Sequence, residues 1–283
     1  MLLTNYHSHT HYCDGKLAPE AYIKAAIKQG LKAYGFSSHA PLPFPCKWAI
    51  PRIKIKDYLA EIEQLSTQYR DEIEIYTGLE VDYIPGRITP QNTFIRHLNL
   101  DYTIGSIHFV GNWSDGKPFQ ADGTHAQFLK GFREIFDNDA QKFMSDYFKL
   151  TRDMITLACP DIVGHLDKLK IHNENGKLFS EQSDWYVFEV LKTLEVIKKA
   201  GAIMEVNTRG IYKKKTTELY PSTWILEYAQ HMDIPICLSS DCHHPNEITK
   251  GFEDATRILK AIGFKEKMVL IEGGWKAVGL MSE

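Results

Sequence analysis

The chain has 283 residues, 43% of them hydrophobic, and a net charge of −3. That is ordinary globular composition; the charge leaves no electrostatic footprint for nucleic acid, and no apolar run approaches the roughly 20 residues a membrane helix requires. The five cysteines, Cys13, Cys46, Cys159, Cys237 and Cys242, are odd in number and include no C-x-x-C, so thiols in a reducing cytoplasm are expected rather than a disulfide framework or a zinc knuckle.

The first candidate strand, 2–9, leads into HSHTHYCDG, with His7, His9 and His11 at alternate positions and Asp14 beyond them. This start has neither a basic n-region nor a long apolar h-region, so no signal peptide is expected. Alternate residues of a strand share a face. The three imidazoles are therefore expected to point the same way, and a His-x-His pair aims two of them at one ion. A helix over 19–30 follows, with Pro19 at its first position and Gly30 as its stop. A strand over 33–39 ends in His39, a helical pattern covers 57–70, and strands over 73–81 and 102–110 hold Glu80 and His108. The stretch from Thr124 to Ala158 reads as one long helix or two, with Asp137-Asn138-Asp139 as the break. Strands at 162–167, 202–208 and 235–243 hold His165, then Glu205 and Asn207, then Asp241 and His243. Helices over 183–201, 222–232 and 253–263 separate or follow them. Lys213-Lys214-Lys215 is the one dense basic cluster, and it reads as a solvated turn.

Strand followed by helix, repeated along the chain, argues for parallel strands joined by helical crossovers. The expected architecture is α/β, a single domain over 1–283 forming a barrel like the (β/α)8 fold but one unit short. An open doubly wound sheet is the alternative. No G-x-G-x-x-G or G-x-x-x-x-G-K-[ST] follows a strand, which argues against a nucleotide cofactor. Each proposed strand ends in a metal-ligand residue type or in one able to support a ligand, on the face where barrel active sites sit. Each member alone reads as an ordinary polar residue; the set points to metal. Imidazoles with carboxylates and no thiols suit zinc, manganese or iron. The ligands are too many for one tetrahedral zinc, so two or three ions are implied, and phosphoester hydrolysis is the natural reaction class.

The motif series around His7-x-His9, Asp14, SSHA at His39, GLE at Glu80, GSIH at His108, GHLD at His165 and SSDCH at Asp241 and His243 resembles that of the PHP (polymerase and histidinol phosphatase) family. The resemblance runs from residue 5 to about 244. SHAPLPF (38–44), IGSIHFV (104–110) and EVNTRG (205–210) are similar to its histidinol-phosphate phosphatase branch. It implies a distorted (β/α)7 barrel with three divalent ions (zinc, manganese or iron) at the strand ends. His7, His9, Glu80 and Asp241 would hold one, Glu80, His108 and His165 a second, and Asp14, His39 and His243 the third. His11 fills no slot and is expected to support a ligand or to be structural. The resemblance also implies that Arg209 grips the substrate phosphate, as a guanidinium does bidentately. Where a second arginine is expected after the GHLD motif, the candidates are Lys168 and Lys170, and Lys170 is assigned to the substrate. Asp241 and His243 are candidates for proton transfer to the leaving group. Trp48 and Trp113, in the loops 41–51 and 111–123, offer flat faces for a substrate ring. The cysteines are expected to be dispensable, Cys242 pointing away from its neighbours Asp241 and His243.

The implied activity is hydrolysis of L-histidinol phosphate to L-histidinol and phosphate, in the cytoplasm, with no nucleic-acid or membrane partner. Another phosphoesterase of the same superfamily, a nucleotide phosphatase or a 3′–5′ exonuclease, is the first alternative, and the chain lacks the basic stripe the exonuclease needs. A non-catalytic module is the second, although here every ligand slot is filled.

Overall fold

The computed structural model describes residues 2–280, apart from the side chain of Asn175. Its strands are β1 (Thr4–Asn5), β2 (Ala33–Phe36), β3 (Glu74–Asp82), β4 (Tyr102–Ser106), β5 (Phe109–Asn112), β6 (Pro118–Gln120), β7 (Ile162–Val163), β8 (Ile203–Asn207), β9 (Ile236–Ser239), β10 (Glu266–Ile271) and β11 (Gly274–Gly279). Its helices are α1 (Pro19–Lys28), α2 (Ile55–Tyr69), α3 (Thr93–Arg96), α4 (His125–Phe136), α5 (Ala140–Ala158), α6 (Asp184–Ala200), α7 (Arg209–Tyr212), α8 (Thr223–His231) and α9 (Phe252–Ile262). Seven strands form one parallel sheet in the order β1-β2-β3-β4-β7-β8-β9.

The sheet curls until its first and last strands approach, and it closes beyond their ends. There Ser8 bridges Cys242 in parallel. The His9 N–H donates to the Cys242 carbonyl at 2.9 Å, and the Cys242 N–H donates to the His7 carbonyl at 3.2 Å. The expected barrel is therefore present, and its seam lies at the C-terminal rim.

Local chemistry sets the helix limits. Thr124 caps α4 through a capping box with Gln127, and Asp137 ends that helix in the left-handed region, before Asp139 caps α5. The long helical stretch is thus two helices, broken where the three polar residues fall. Gly201 ends α6 at φ 67°, a conformation that glycine adopts without a Cβ clash.

The lower half of the barrel is filled by Tyr6, Tyr76, Tyr102, Ile104, Ile162 and Leu270, among others. The Tyr102 hydroxyl reaches the Tyr6 carbonyl at 2.6 Å and the Phe36 carbonyl at 3.0 Å. A Cβ on Gly78 would lie 2.6 Å from the Tyr102 ring, so a bare backbone is required for the ring to pass. The antiparallel β10–β11 hairpin closes this end, with the Tyr6 hydroxyl bound to both the N–H and the carbonyl of Leu270 at 2.8 Å. Neither that hairpin nor the β5–β6 hairpin is expected from the sequence pattern.

Lys267, on β10, is 1% exposed, and its Nζ has no hydrogen-bond partner among the described residues. Burial pushes its pKa down from 10.5 to about 8, with only a slight opposing effect from Cys237. Below pH 8 the folded and unfolded chains both carry this charge, and the fold bears the full desolvation cost. Between 8 and 10.5 the unfolded chain alone keeps the proton, so stability rises with pH through that window. Lys267→Met is expected to be more stable than the parent by about 2–3 kcal/mol at neutral pH, a margin that disappears near pH 10.5. Urea unfolding of both proteins across that range measures it; a pH-independent margin would contradict the buried ammonium.

Candidate metal centre

The strand ends bring His7, His9, Asp14, His39, Glu80, His108, His165, Asp241 and His243 into one cluster, buried except for Asp14 and His243, which are half-buried. Its middle is Glu80, 1% exposed, on β3. Glu80 Oε2 faces His7 Nε2 at 3.3 Å, His9 Nε2 at 3.5 Å and His39 Nδ1 at 2.9 Å. Glu80 Oε1 faces His108 Nε2 at 3.4 Å and His165 Nε2 at 2.9 Å, and accepts the Ser106 hydroxyl at 2.6 Å. Asp241 Oδ1 stands 3.3 Å from His9 Nε2 and 3.8 Å from His7 Nε2. Asp14 lies 3.8 Å from His39 Nε2 and 3.2 Å from His243 Nε2. Four sets of ligand atoms lie within 4.8 Å of one another: His9, Asp14, His39 and His243; His7, Glu80 and His165; His7, His9 and Asp241; His39, Glu80 and His108. These overlap the three groups implied by the family resemblance and differ in detail, because His7, His9 and His39, like Glu80, each belong to two sets.

His11 does not join them. Regular pairing of β1 ends at Asn5, and a turn closed by the Cys13 N–H on the Thr10 carbonyl redirects the chain. His11 is exposed against the Tyr12 ring, while Asp14 comes back to the cluster. Strand alternation therefore holds for His7 and His9 and fails two residues later.

Several ring nitrogens are fixed from behind. His7 Nδ1 donates to Glu205 Oε1 at 2.5 Å, and Glu205 Oε2 accepts the backbone N–H of His165 at 2.7 Å. His108 Nδ1 meets Asp82 Oδ1 at 3.0 Å. Such bonds fix the tautomer and turn the other nitrogen toward the centre. Nε2 of His7, His9 and His108 and Nδ1 of His39 have no well-formed hydrogen bond among the described residues. Yet carboxylates stand 2.9–3.4 Å away. Buried polar atoms left in this state are costly; nitrogens and carboxylates so arranged fit divalent cations.

The charge balance agrees. Burial opposes ionisation of Glu80, but His39, His7 and His108 outweigh it and hold its pKa well below the usual carboxylate range. Burial likewise opposes protonation of His7, but Glu205, Asp241 and Glu80 raise its pKa well above normal. His108 is raised to about 9, Asp82 overcoming the burial. Burial instead pushes His9, His165 and His243 down, so a cation binding here would have to displace protons chiefly from His7 and His108.

Arg209 opens α7 beside the centre. Its Nη1 donates to the Asp241 carbonyl and to the Tyr212 hydroxyl, and lies 4.0 Å from Asp241 Oδ1. Asp241 itself sits at φ 49°, which turns its carbonyl toward Arg209, Tyr212 and His243 Nδ1. Lys170 is not available to a substrate. Its ammonium is buried and its three donors are taken by Asp167 Oδ2, the Leu219 carbonyl and Ser222 Oγ. Lys168 instead faces the centre, 2.9 Å from Asp122 Oδ2, which lies 3.9 Å from His108 Nε2. Trp48 meets His39 and His108 edge to face, at centroid distances of 4.6 and 5.5 Å, and its Nε1 donates to Gln120. Trp113 shares with Trp48 an apolar pocket of about 590 Å³, but it packs on Phe119 and no imidazole. The Cys242 side chain turns into the core toward Tyr34, as strand alternation requires. Cys13, in contrast, places its sulfur 3.6 Å from His9 Nδ1. Asp82, Asp122 and Tyr212 are absent from the sequence-based set. Of these only Asp82 had a signal, two residues after Glu80 and so on the same strand face.

A family model described as PHP domain matches residues 5–209. The "Probable histidinol-phosphatase" of Deinococcus radiodurans is 28% identical over 264 residues, covering 92% of this chain and 94% of the relative. The "Histidinol-phosphatase" of Bacillus subtilis is 27% identical, covering 87% of this chain and 96% of the relative. A solved structure, described as histidinol phosphate phosphatase from Lactococcus lactis complexed with zinc, L-histidinol and phosphate, superposes with a TM-score of 0.71 at 21% identity. The match covers 96% of this chain and 98% of that one.

Glu205→Gln tests the support behind His7. The amide can still bond the ring but no longer carries the charge that draws the proton to Nδ1. Affinity for Zn²⁺ is expected to fall about 10–100-fold, measured by chelator competition. Unchanged affinity would mean that His7 is oriented without Glu205.

Proposed function

The chain belongs to the PHP domain family, and from that premise we propose that it is a metal-dependent phosphatase hydrolysing L-histidinol phosphate to L-histidinol and phosphate. The observation that carries the reading is Glu80, whose two buried oxygens each face separate sets of imidazoles, with Arg209 and Lys168 close to the same cluster. Relatives named histidinol-phosphatase, similar along nearly their whole length, supply the substrate. His7, His9, Glu80, Asp241, His108, His165, Asp14, His39 and His243 would hold three divalent ions. When bound, such ions activate water at neutral pH and stabilise charge on phosphoryl oxygens.

The chain's own groups then do the following. Arg209 keeps one guanidinium nitrogen on the Asp241 carbonyl, which aims the rest of the fork across the centre at the non-bridging oxygens. Lys168 spends one donor on Asp122 and keeps two for the phosphate, in the place assigned to Lys170 from sequence. Trp48 fixes the His39 and His108 rings by its edge contacts and, with Trp113, lines the pocket for the organic part of the substrate.

A panel of phosphomonoesters with Mn²⁺ or Zn²⁺, with and without chelator, tests the assignment. Histidinol phosphate should be the best substrate and chelation should abolish turnover; a clear preference for nucleotides or for 3′ ends of nucleic acid would overturn it. Elemental analysis should give about three ions per chain. Glu80→Gln should lose at least two of them together, since it removes one ligand charge from two groups. Arg209→Met should keep its metal and lower kcat/KM by roughly 10²–10³, the scale of one lost transition-state donor. Similar losses are expected for histidinol phosphate and an aryl phosphate, because the phosphoryl group is common to both. Normal turnover, or lost metal, would remove Arg209 from that role.

A further inference from the structure

The Lys213-Lys214-Lys215 turn is not uniformly solvated. Lys213 turns aside to pair with Glu247, and Lys214 occupies a left-handed position at φ 55°. The chain then folds back on the residue after Arg209. The Lys215 and Thr216 N–H groups both donate to the Gly210 carbonyl, at 2.9 and 3.2 Å. A Cβ at Gly210 would fall 2.3 Å from Thr216 Oγ1, so the contact is close and the exit point of Lys215 is fixed relative to Arg209. Lys215 is exposed as a residue, while its ammonium is partly shielded from water and lies within electrostatic reach of Lys168, Arg209, Asp122, Asp241 and His172.

Lys168 and Arg209 each have an acidic neighbour, Asp122 and Asp241. Lys215 has no hydrogen-bonded or ion-paired partner for its side chain among the described residues. Partial burial, with the charges of Lys168 and Arg209, pushes its pKa down, and Asp122 and Asp241 only partly oppose this. The tight return onto Gly210 thus holds a third cation beside Arg209, and cations within electrostatic reach of one another repel and together attract an anion. A phosphomonoester dianion offers three non-bridging oxygens, more acceptors than one guanidinium can engage.

We propose that Lys215 is a third phosphate-binding residue, receiving the phosphoryl group at the mouth together with Lys168 and Arg209. This rests on the phosphatase reading above. Lys215 is exposed and held by no side-chain bond, so it follows the phosphate into the ground state as readily as into the transition state. Its contribution therefore falls on KM rather than on kcat.

The test compares metal-loaded parent, Lys215→Met and Lys215→Arg with histidinol phosphate and p-nitrophenyl phosphate, and titrates inorganic phosphate by inhibition and by calorimetry. For Lys215→Met, KM and the phosphate dissociation constant should both rise about 5- to 20-fold, the scale of one exposed charge-assisted contact. Metal content and melting temperature should not change, kcat should stay within about twofold, and Lys215→Arg should recover most of the affinity. Phosphate affinity and KM unchanged in Lys215→Met, or a fall confined to kcat, would overturn the assignment. A parent that hydrolyses no phosphomonoester would instead overturn the phosphatase reading. Calorimetry with phosphate alone would still decide whether Lys215 binds it.

Discussion

A fully buried carboxylate with five imidazoles around it is the condition to which the rest of the molecule answers. Taking an ionised carboxyl group out of water is affordable only if positive charge replaces the lost hydration. Glu80 lies on a central strand, and its two oxygens look to opposite sides of the barrel mouth. The five histidines come from just past β1, β2, β4 and β7, and Asp241 and His243 from just past β9, so each of these strands must end at the right height. Glu205 and Asp82 then fix individual rings from outside the centre. The opposite end of the barrel is built on other terms, with aromatic rings, tyrosine hydroxyls on carbonyls and a hairpin plug. A polar mouth that is costly to assemble is thus carried on a lower half that contributes stability.

Much of this is legible in the sequence because the signals repeat. Each parallel strand is a short apolar run, each ends in a residue that can ligate or support a ligand, and helical spacing separates most of them. The seven-strand barrel and the nine-residue cluster both follow from that repetition together with the family resemblance. What the pattern hides has physical reasons. The β10–β11 hairpin carries a buried lysine and half-exposed apolar residues, so it shows neither clean alternation nor a continuous apolar run. His11 obeys the spacing of its neighbours, but strand geometry stops before it. Lys168 and Lys170 are two residues apart on a 3-10 turn, and no periodicity says which faces the mouth and which is bound into the wall. Lys215 resembles its two neighbours in composition and differs only in where a tight return of the chain leaves it.

Helical periodicity is more informative here than strand pattern for the scaffold, and less so for the chemistry. The break at 137–139 and the end of α6 at Gly201 can be placed to within a residue or two from caps alone. The groups around Asp241 depend instead on one left-handed backbone position, which turns a carbonyl rather than a side chain toward Arg209. A reading limited to side-chain types does not register that kind of contribution.

The Ser8–Cys242 seam also has a consequence in time. It joins segments more than 230 residues apart, and the residues beside it, His7 and His9 on one side and Asp241 and His243 on the other, belong to the cluster itself. During synthesis the chain emerges N-terminus first, so the early histidines wait while most of the polypeptide is made. Contacts of such separation carry a loop-closure entropy cost and cannot form until both segments exist. A ribosome-bound chain that has not yet exposed Asp241 and His243 lacks two members of the cluster and the strand that closes it. The complete set of nine groups is therefore a property of the finished barrel, and a chain stalled short of its last parallel strand has an open sheet and lacks Asp241 and His243.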